Sequence, residues 1–213
     1  MRIRLSVLLA LATGFLHGEV AAYEIRPAQG ARFVLTVEKT GLLSGKKHQF
    51  VFGDYQGTLH YDPGAPEHSR VDISIRSASA VCMDKWVSQK DLKKIQAYAL
   101  DDMLAAEKYP ELHFSSLGVV RKGENTFEVT GTLTIRGILK PATVMVELGR
   151  DSGRITSLSG HAVVRLKDYG LKPPTAALGT IGTKDEMTVE FSLVPVAGIE
   201  TPVSGRAPGE GPE

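Results

Sequence analysis

The feature that most limits what this chain can become is a strict apolar–polar alternation from Leu112 to Leu148. Phe127, Val129, Leu133 and Ile135 share one parity, with polar residues between them, and Val144, Val146 and Leu148 repeat the pattern after Gly137. A period of two puts such residues on one face of a pleated strand. The chain is therefore strand after strand, each with one wet and one dry face.

The same signal recurs elsewhere. Phe33, Leu35 and Val37 alternate with Val34 and Thr36. Phe50 and Phe52 share a parity, whereas Tyr55, Leu59 and Tyr61 share the opposite one. The switch at Gly53-Asp54 predicts a bulge that restores the facing. Asp62-Pro63-Gly64 reads as a turn. Val71, Ile73 and Ile75 alternate, Leu112 and Phe114 begin a further strand, and Gly131 marks a place where its strand bends. Ile155–Leu166 and Met187–Val194 supply the remainder. Eight or more strands on short turns argue for an antiparallel barrel or sandwich.

One segment has a different period. Ser88 and Asp91 resemble a capping box, and Leu92, Ile95, Ala99 and Met103 then recur at helical spacing. Pro110 blocks continuation. The expected helix, Ser88 to Leu104, suits a lid over a barrel opening, and the Pro/Gly-rich loop Leu171–Thr183 borders the same opening.

The ends read differently from the middle. Arg2 and Arg4 precede an apolar run from Leu5 to Leu16, and Val20-Ala21-Ala22 offers small residues for cleavage before Tyr23. That is a secretion signal over residues 1–22, too short for the roughly 20 residues of a membrane span. Residues 197–213 are rich in Gly, Pro, Ser and Glu and read as a disordered tail. One domain, residues 23–196, is left between them. The whole chain of 213 residues carries a net charge of +1, and removing Arg2, Arg4 and Glu19 with the signal leaves it near neutral. No basic patch favours nucleic acid.

Catalytic signatures are missing: there is no Gly-x-Ser-x-Gly elbow, His-Glu-x-x-His, P-loop or Gly-x-Gly-x-x-Gly. No catalytic residue, metal or cofactor is expected, and the chain reads as a non-enzyme. His60, His113 and His161 fall at polar parities and read as surface residues, although a metal site assembled from separate strands stays open. Asp101 and Asp102 point about a quarter-turn apart on a helix and read as a solvated face. Asp168-Tyr169-Gly170 reads as an Asp-stabilised turn. Cys82 is the sole cysteine. It reads as a small buried residue at a strand end, with no basic neighbour in sequence to activate it.

The in-facing set is then the chain's main asset. It comprises Phe33, Leu35, Val37, Phe50, Phe52, Leu59 and Tyr61 from the first half of the sheet. Val71, Ile73, Ile75 and Phe114 follow, then Phe127, Val129, Leu133, Ile135, Val144 and Val146. Periodicity leaves two readings open: a small barrel filled by these side chains, or a wider one lined by them around an apolar ligand.

Several segments carry a resemblance. They are Phe52 followed by Tyr55-Gln56-Gly57-Thr58-Leu59-His60-Tyr61-Asp62-Pro63, Lys108-Tyr109-Pro110 with His113-Phe114-Ser115-Ser116, Thr130-Gly131 through Ile135 and Gly137 to Lys140-Pro141, and Lys167-Asp168-Tyr169-Gly170-Leu171. In this order they resemble the YceI-like proteins across Tyr23 to Val196. The chain departs from that family's pattern at Gln29-Gly30 and at Arg165. The resemblance implies a lipocalin-like eight-stranded antiparallel barrel with one helix in a long connection. It also implies a periplasmic or secreted protein that stores or transports a polyisoprenoid or isoprenoid quinone in the lumen, bound by the in-facing set. A non-catalytic envelope stress or interaction scaffold with a filled barrel is the alternative. A homodimer is compatible with the sequence.

Overall fold

The computed structural model describes residues 20–198, so the expected secretion signal and tail lie mostly outside it. Twelve strands alternate along the chain: β1 (Ala21–Ile25), β2 (Arg32–Gly41), β3 (Lys47–Phe52), β4 (Tyr55–Tyr61), β5 (Arg70–Arg76), β6 (Ala80–Cys82), β7 (Glu111–Arg121), β8 (Thr126–Ile135), β9 (Ile138–Asp151), β10 (Arg154–Arg165), β11 (Ile181–Leu193) and β12 (Val196–Ala197). One α-helix, α1 (Gln89–Tyr98), separates β6 from β7. β1 begins at Ala21, two residues before the expected cleavage point, and β12 reaches Ala197, the first residue expected in the tail.

The sheet order is β12-β1-β4-β5-β7-β8-β9-β10-β11-β2-β3-β6, every pair antiparallel. Twelve reduces to eight when the corners are followed. β1 and β2 both pair along the bent ribbon β3–β4, and β5 and β6 flank the other side of that ribbon. β11 pairs with β2 while its continuation β12 pairs with β1. Four long strands are thus each broken in two, and β7 to β10 run whole. The pairing makes a complete circuit, a meander of eight in which the last strand meets the first. Closure removes most sheet edges.

Gly53-Asp54 is consequently not a bulge. Phe52 pairs with Ala80 and Tyr55 with Ile75, so one ribbon spends Gly53-Asp54 where its partner spends Arg76–Ser79. That corner bends both strands, and the parity change keeps Phe50, Phe52, Leu59 and Tyr61 all facing inward. Gly131 is a point of close packing. β8 stays in register with β9 from Thr126 to Ile135. A Cβ at Gly131 would sit 2.4 Å from the Ser115 carbonyl oxygen and 2.6 Å from the Phe114 ring, so the glycine makes room for that ring. The irregularity lies on the partner strand, between Ser116 and Gly118, and turns Leu117 outward. Arg136 and Gly137, with φ of 52° and 74°, form the tight turn from β8 to β9.

The helix starts as expected. The Ser88 hydroxyl accepts the Asp91 N–H at 3.1 Å and donates to the Asp91 carboxylate at 2.7 Å. Its α-helical part stops at Tyr98, and the helical run goes on as a wider π turn, Ala99–Met103, to the expected end at Leu104. Arg136 reaches across to donate to the Asp102 carbonyl at 3.0 Å, satisfying a helix end that would otherwise lack partners. Leu92 and Ile95 pack on a small cluster of Val37, Phe50, Cys82 and Ala99. Gln96 joins the helix to β6: its amide accepts from the Cys82 N–H and donates to the Ala80 carbonyl, both at 2.7 Å.

Candidate functional site

The ring of strands encloses a cavity of about 520 Å³. Every in-facing residue named from the sequence lines it, from Phe33 and Leu35 round to Val144 and Val146. The filled-barrel alternative does not describe this interior. Leu112, Leu148, Leu158, Ala162, Val164, Met187, Val189 and Phe191 complete the wall. The sequence set omits them, although β10 and β11 alternate as cleanly as the strands it includes. Phe33 organises one side: its ring stacks on Phe191 at 5.9 Å and meets Phe52 edge-on at 6.2 Å.

The two ends of the cavity differ. The floor is packed: Ile25 and Leu193 are each 1% exposed, and Tyr23, Ile155 and Leu158 are buried around them. The Tyr23 hydroxyl accepts the Ile155 N–H at 3.1 Å. Arg150 donates to the Tyr61 hydroxyl and lies over its ring, 5.2 Å from the centroid. The mouth is built from Ile95, Tyr98 and Ala99, from Met103 in the π turn, and from Leu171, Pro174 and Ala176 of the second loop. Both segments expected to border the opening do line it. Polar groups stand at this end as well. The Lys39 ammonium, its pKa lowered by burial, donates to the Thr183 hydroxyl at 3.4 Å. The Tyr169 hydroxyl donates to the Leu133 carbonyl at 3.3 Å, and burial with help from the neighbouring Asp168 charge pushes its pKa up to about 12. The phenol stays a neutral donor on the wall.

Residues 23–194 match the YceI-like domain family. The chain belongs to that family. A UPF0312 protein of Pseudomonas putida (strain W619) is 30% identical over 179 residues, covering 81% of this chain and 90% of its own. A UPF0312 protein of Pseudomonas syringae pv. tomato is 33% identical over 132 residues, 58% of this chain and 63% of its own. Among solved structures, Burkholderia cenocepacia BcnA superposes with a TM-score of 0.60 at 19% identity, over 78% of this chain and 96% of that one. The Campylobacter jejuni YCEI protein gives 0.53 at 23% identity, over 70% and 84%. Both likenesses establish the lipocalin-type barrel architecture.

The segments that carry the YceI-like resemblance sit at structural joints. The Asp62 carboxylate accepts the Gly64 and Ala65 N–H groups, each at 2.9 Å, and shapes the turn after β4. Tyr109 lies between Lys108 and Arg136, 5.1 and 5.8 Å from its ring centre, while its carbonyl accepts from the Ser77 hydroxyl at 2.8 Å. Asp168 is in a turn, with Gly170 left-handed at φ 68°. The stabilising carboxylate, however, is that of Asp185, which accepts the Lys167 N–H at 3.0 Å.

The polar candidates disperse. His60 and His161 are exposed. His113 pairs with Asp72 at 3.0 Å, and Lys184 pairs with Glu38. None of His113, His161, Asp168 and Lys184 is hydrogen-bonded or ion-paired to another of the four. Among the described residues no helix is long and apolar enough to cross a membrane. Cys82 is buried at a strand end, as its type implies, and burial pushes the thiol up to about 11. Its surroundings correct the sequence reading: a histidine does lie beside it. His48 stands 34 positions away in sequence, and only the pairing of β3 with β6 brings them together.

Proposed function

We propose that this chain is an exported, non-enzymatic carrier, periplasmic or secreted, that holds a long apolar lipid such as a polyisoprenoid or isoprenoid quinone in the barrel lumen. The observation that carries this reading is the cavity: about 520 Å³, walled mostly by aliphatic and aromatic side chains. That volume lies within the range of small-molecule sites. About ten buried methylenes offer about 8 kcal/mol at about 0.8 kcal/mol each, before ordering costs are subtracted. No ionic contact is required. The polar groups at the mouth suit a ligand whose head differs from its tail, and membership of the YceI-like family agrees with an isoprenoid tail.

Extraction of the purified protein followed by mass spectrometry tests the reading. A stoichiometric isoprenoid is the expected result, and a consistently empty lumen rejects it. Leu133→Glu places a carboxylate on the wall, where a charge without a partner is costly. That variant is expected to lose the lipid, and normal retention would place the ligand elsewhere.

A further inference from the structure

β3 and β6 run antiparallel with Phe50 opposite Cys82, and the Met83 N–H donates to the Gln49 carbonyl at 2.8 Å. The pairing carries the chain past the end of β6 and sets Asp84 beside His48. An imidazole nitrogen of His48, the Cys82 sulfur and an Asp84 carboxylate oxygen lie within 4.8 Å of one another. No second group of three His, Cys, Asp or Glu side chains comes this close among the described residues. All three are shielded. Side-chain exposure is 12% at His48 and 1% at Asp84, and Cys82 is 5% exposed.

Each donor is also held from outside the group. The Gln49 N–H donates to one Asp84 oxygen at 3.0 Å, which leaves the other turned to His48 Nδ1. The Gln96 amide fixes the Cys82 backbone from α1. The Trp86 indole stacks on the imidazole at 5.3 Å and 25°, and is itself tethered by donating to the Lys47 carbonyl at 2.9 Å. Such outer partners orient metal ligands in known sites. A histidine–aspartate pair alone would be an ordinary buried polar contact. A thiol converging on the same point makes the set one of mixed donors.

We propose that His48, Cys82 and Asp84 form a binding site for a divalent cation of the zinc class. One sulfur, one nitrogen and one oxygen suit a borderline-soft ion, whereas magnesium and calcium take oxygen ligands. Bonds of about 2.0–2.3 Å place donors about 3–4 Å apart around a tetrahedral centre. The group needs only the His48–Asp84 contact to open slightly. As the metal–sulfur bond forms, the thiol proton passes to solvent. Three protein donors leave a fourth position for water or for an oxygen of whatever occupies the lumen, since His48 lines that cavity. The site does not depend on the lipid reading.

Titration of the purified, metal-stripped full chain with Co²⁺ tests it. The expected result is one cobalt per chain, with a near-ultraviolet thiolate-to-cobalt charge-transfer band that Zn²⁺ abolishes by displacement. Cys82 is the sole cysteine, so a band in the unmodified protein reports on that residue even if its variants fold poorly. Cys82→Ser is expected to remove the band, and Asp84→Asn to weaken binding by more than about tenfold. His60→Gln, at an exposed histidine, is expected to change nothing. A wild-type spectrum without the band overturns the proposal. So does cobalt binding that survives Cys82→Ser unchanged or vanishes in His60→Gln.

Discussion

The floor and the mouth of this barrel are made by the same strands and behave as different materials. At the floor Ile25 and Leu193 have almost no exposed surface, and the Tyr23 hydroxyl has its backbone partner. At the mouth α1 contains no fully buried residue and gives way to a π turn. The second loop runs Ala177, Leu178 and Gly179 through positive φ, with Leu178 fully exposed. Elements with few buried side chains belong to the low-stability end of a structure, and here that end is a helix and a loop laid over the closed sheet.

Breaking the floor is the strongest test of that contrast. Leu193→Ala should cost about 2–5 kcal/mol, the range for emptying a well-packed core site, read as a lower urea midpoint with an unchanged slope. Gly131→Ala comes next. Its new methyl meets the Ser115 carbonyl and the Phe114 ring, and overpacking of this kind costs about 1–3 kcal/mol. Thermal melts should show it as a global effect, because β8 is in the closed circuit. Ser88→Ala should cost about 1 kcal/mol through the lost cap, and hydrogen exchange should quicken in α1 while the floor strands keep their protection. Equal acceleration at both ends would refute the division.

The smallest effect sharpens the comparison through pH. Glu38, at the mouth end of β2, is held down at about 2 by its hydrogen bonds to Lys184 and Lys47, with their charges adding to the effect. A carboxylate with a depressed folded pKa contributes stability above its unfolded value, near 4.5, and that contribution fades as pH falls towards 2. The group is exposed and its pairing is screened by salt. Wild type should therefore lose slightly more stability than Glu38→Gln between pH 5 and 2, and salt should shrink the difference.

Alternation made the lumen legible, because a residue's parity decides its face and nothing distant is needed to know it. The parity flip at Gly53-Asp54 was legible as well, but its meaning was not. A bulge and a corner leave the same mark on one strand, and only the partner's Arg76–Ser79 distinguishes them. The capping box located the start of α1. The π turn that follows Tyr98 is closed by Arg136, which reaches the Asp102 carbonyl from a turn more than thirty residues on. The convergence of His48, Cys82 and Asp84 follows from the register of β3 against β6, which no local pattern encodes. The lumen residues of β10 and β11 carry the same alternation and are equally readable.

Gln96 carries a consequence for how these molecules meet one another. β6 has β3 on one side and no strand on the other, so the Ala80 carbonyl and Cys82 N–H point away from the sheet as a template for strand addition. The side-chain amide of Gln96 takes both. A stray strand from a neighbouring copy finds that donor and that acceptor already taken, and one glutamine blunts the adhesive rim that the corner in the barrel would otherwise leave behind.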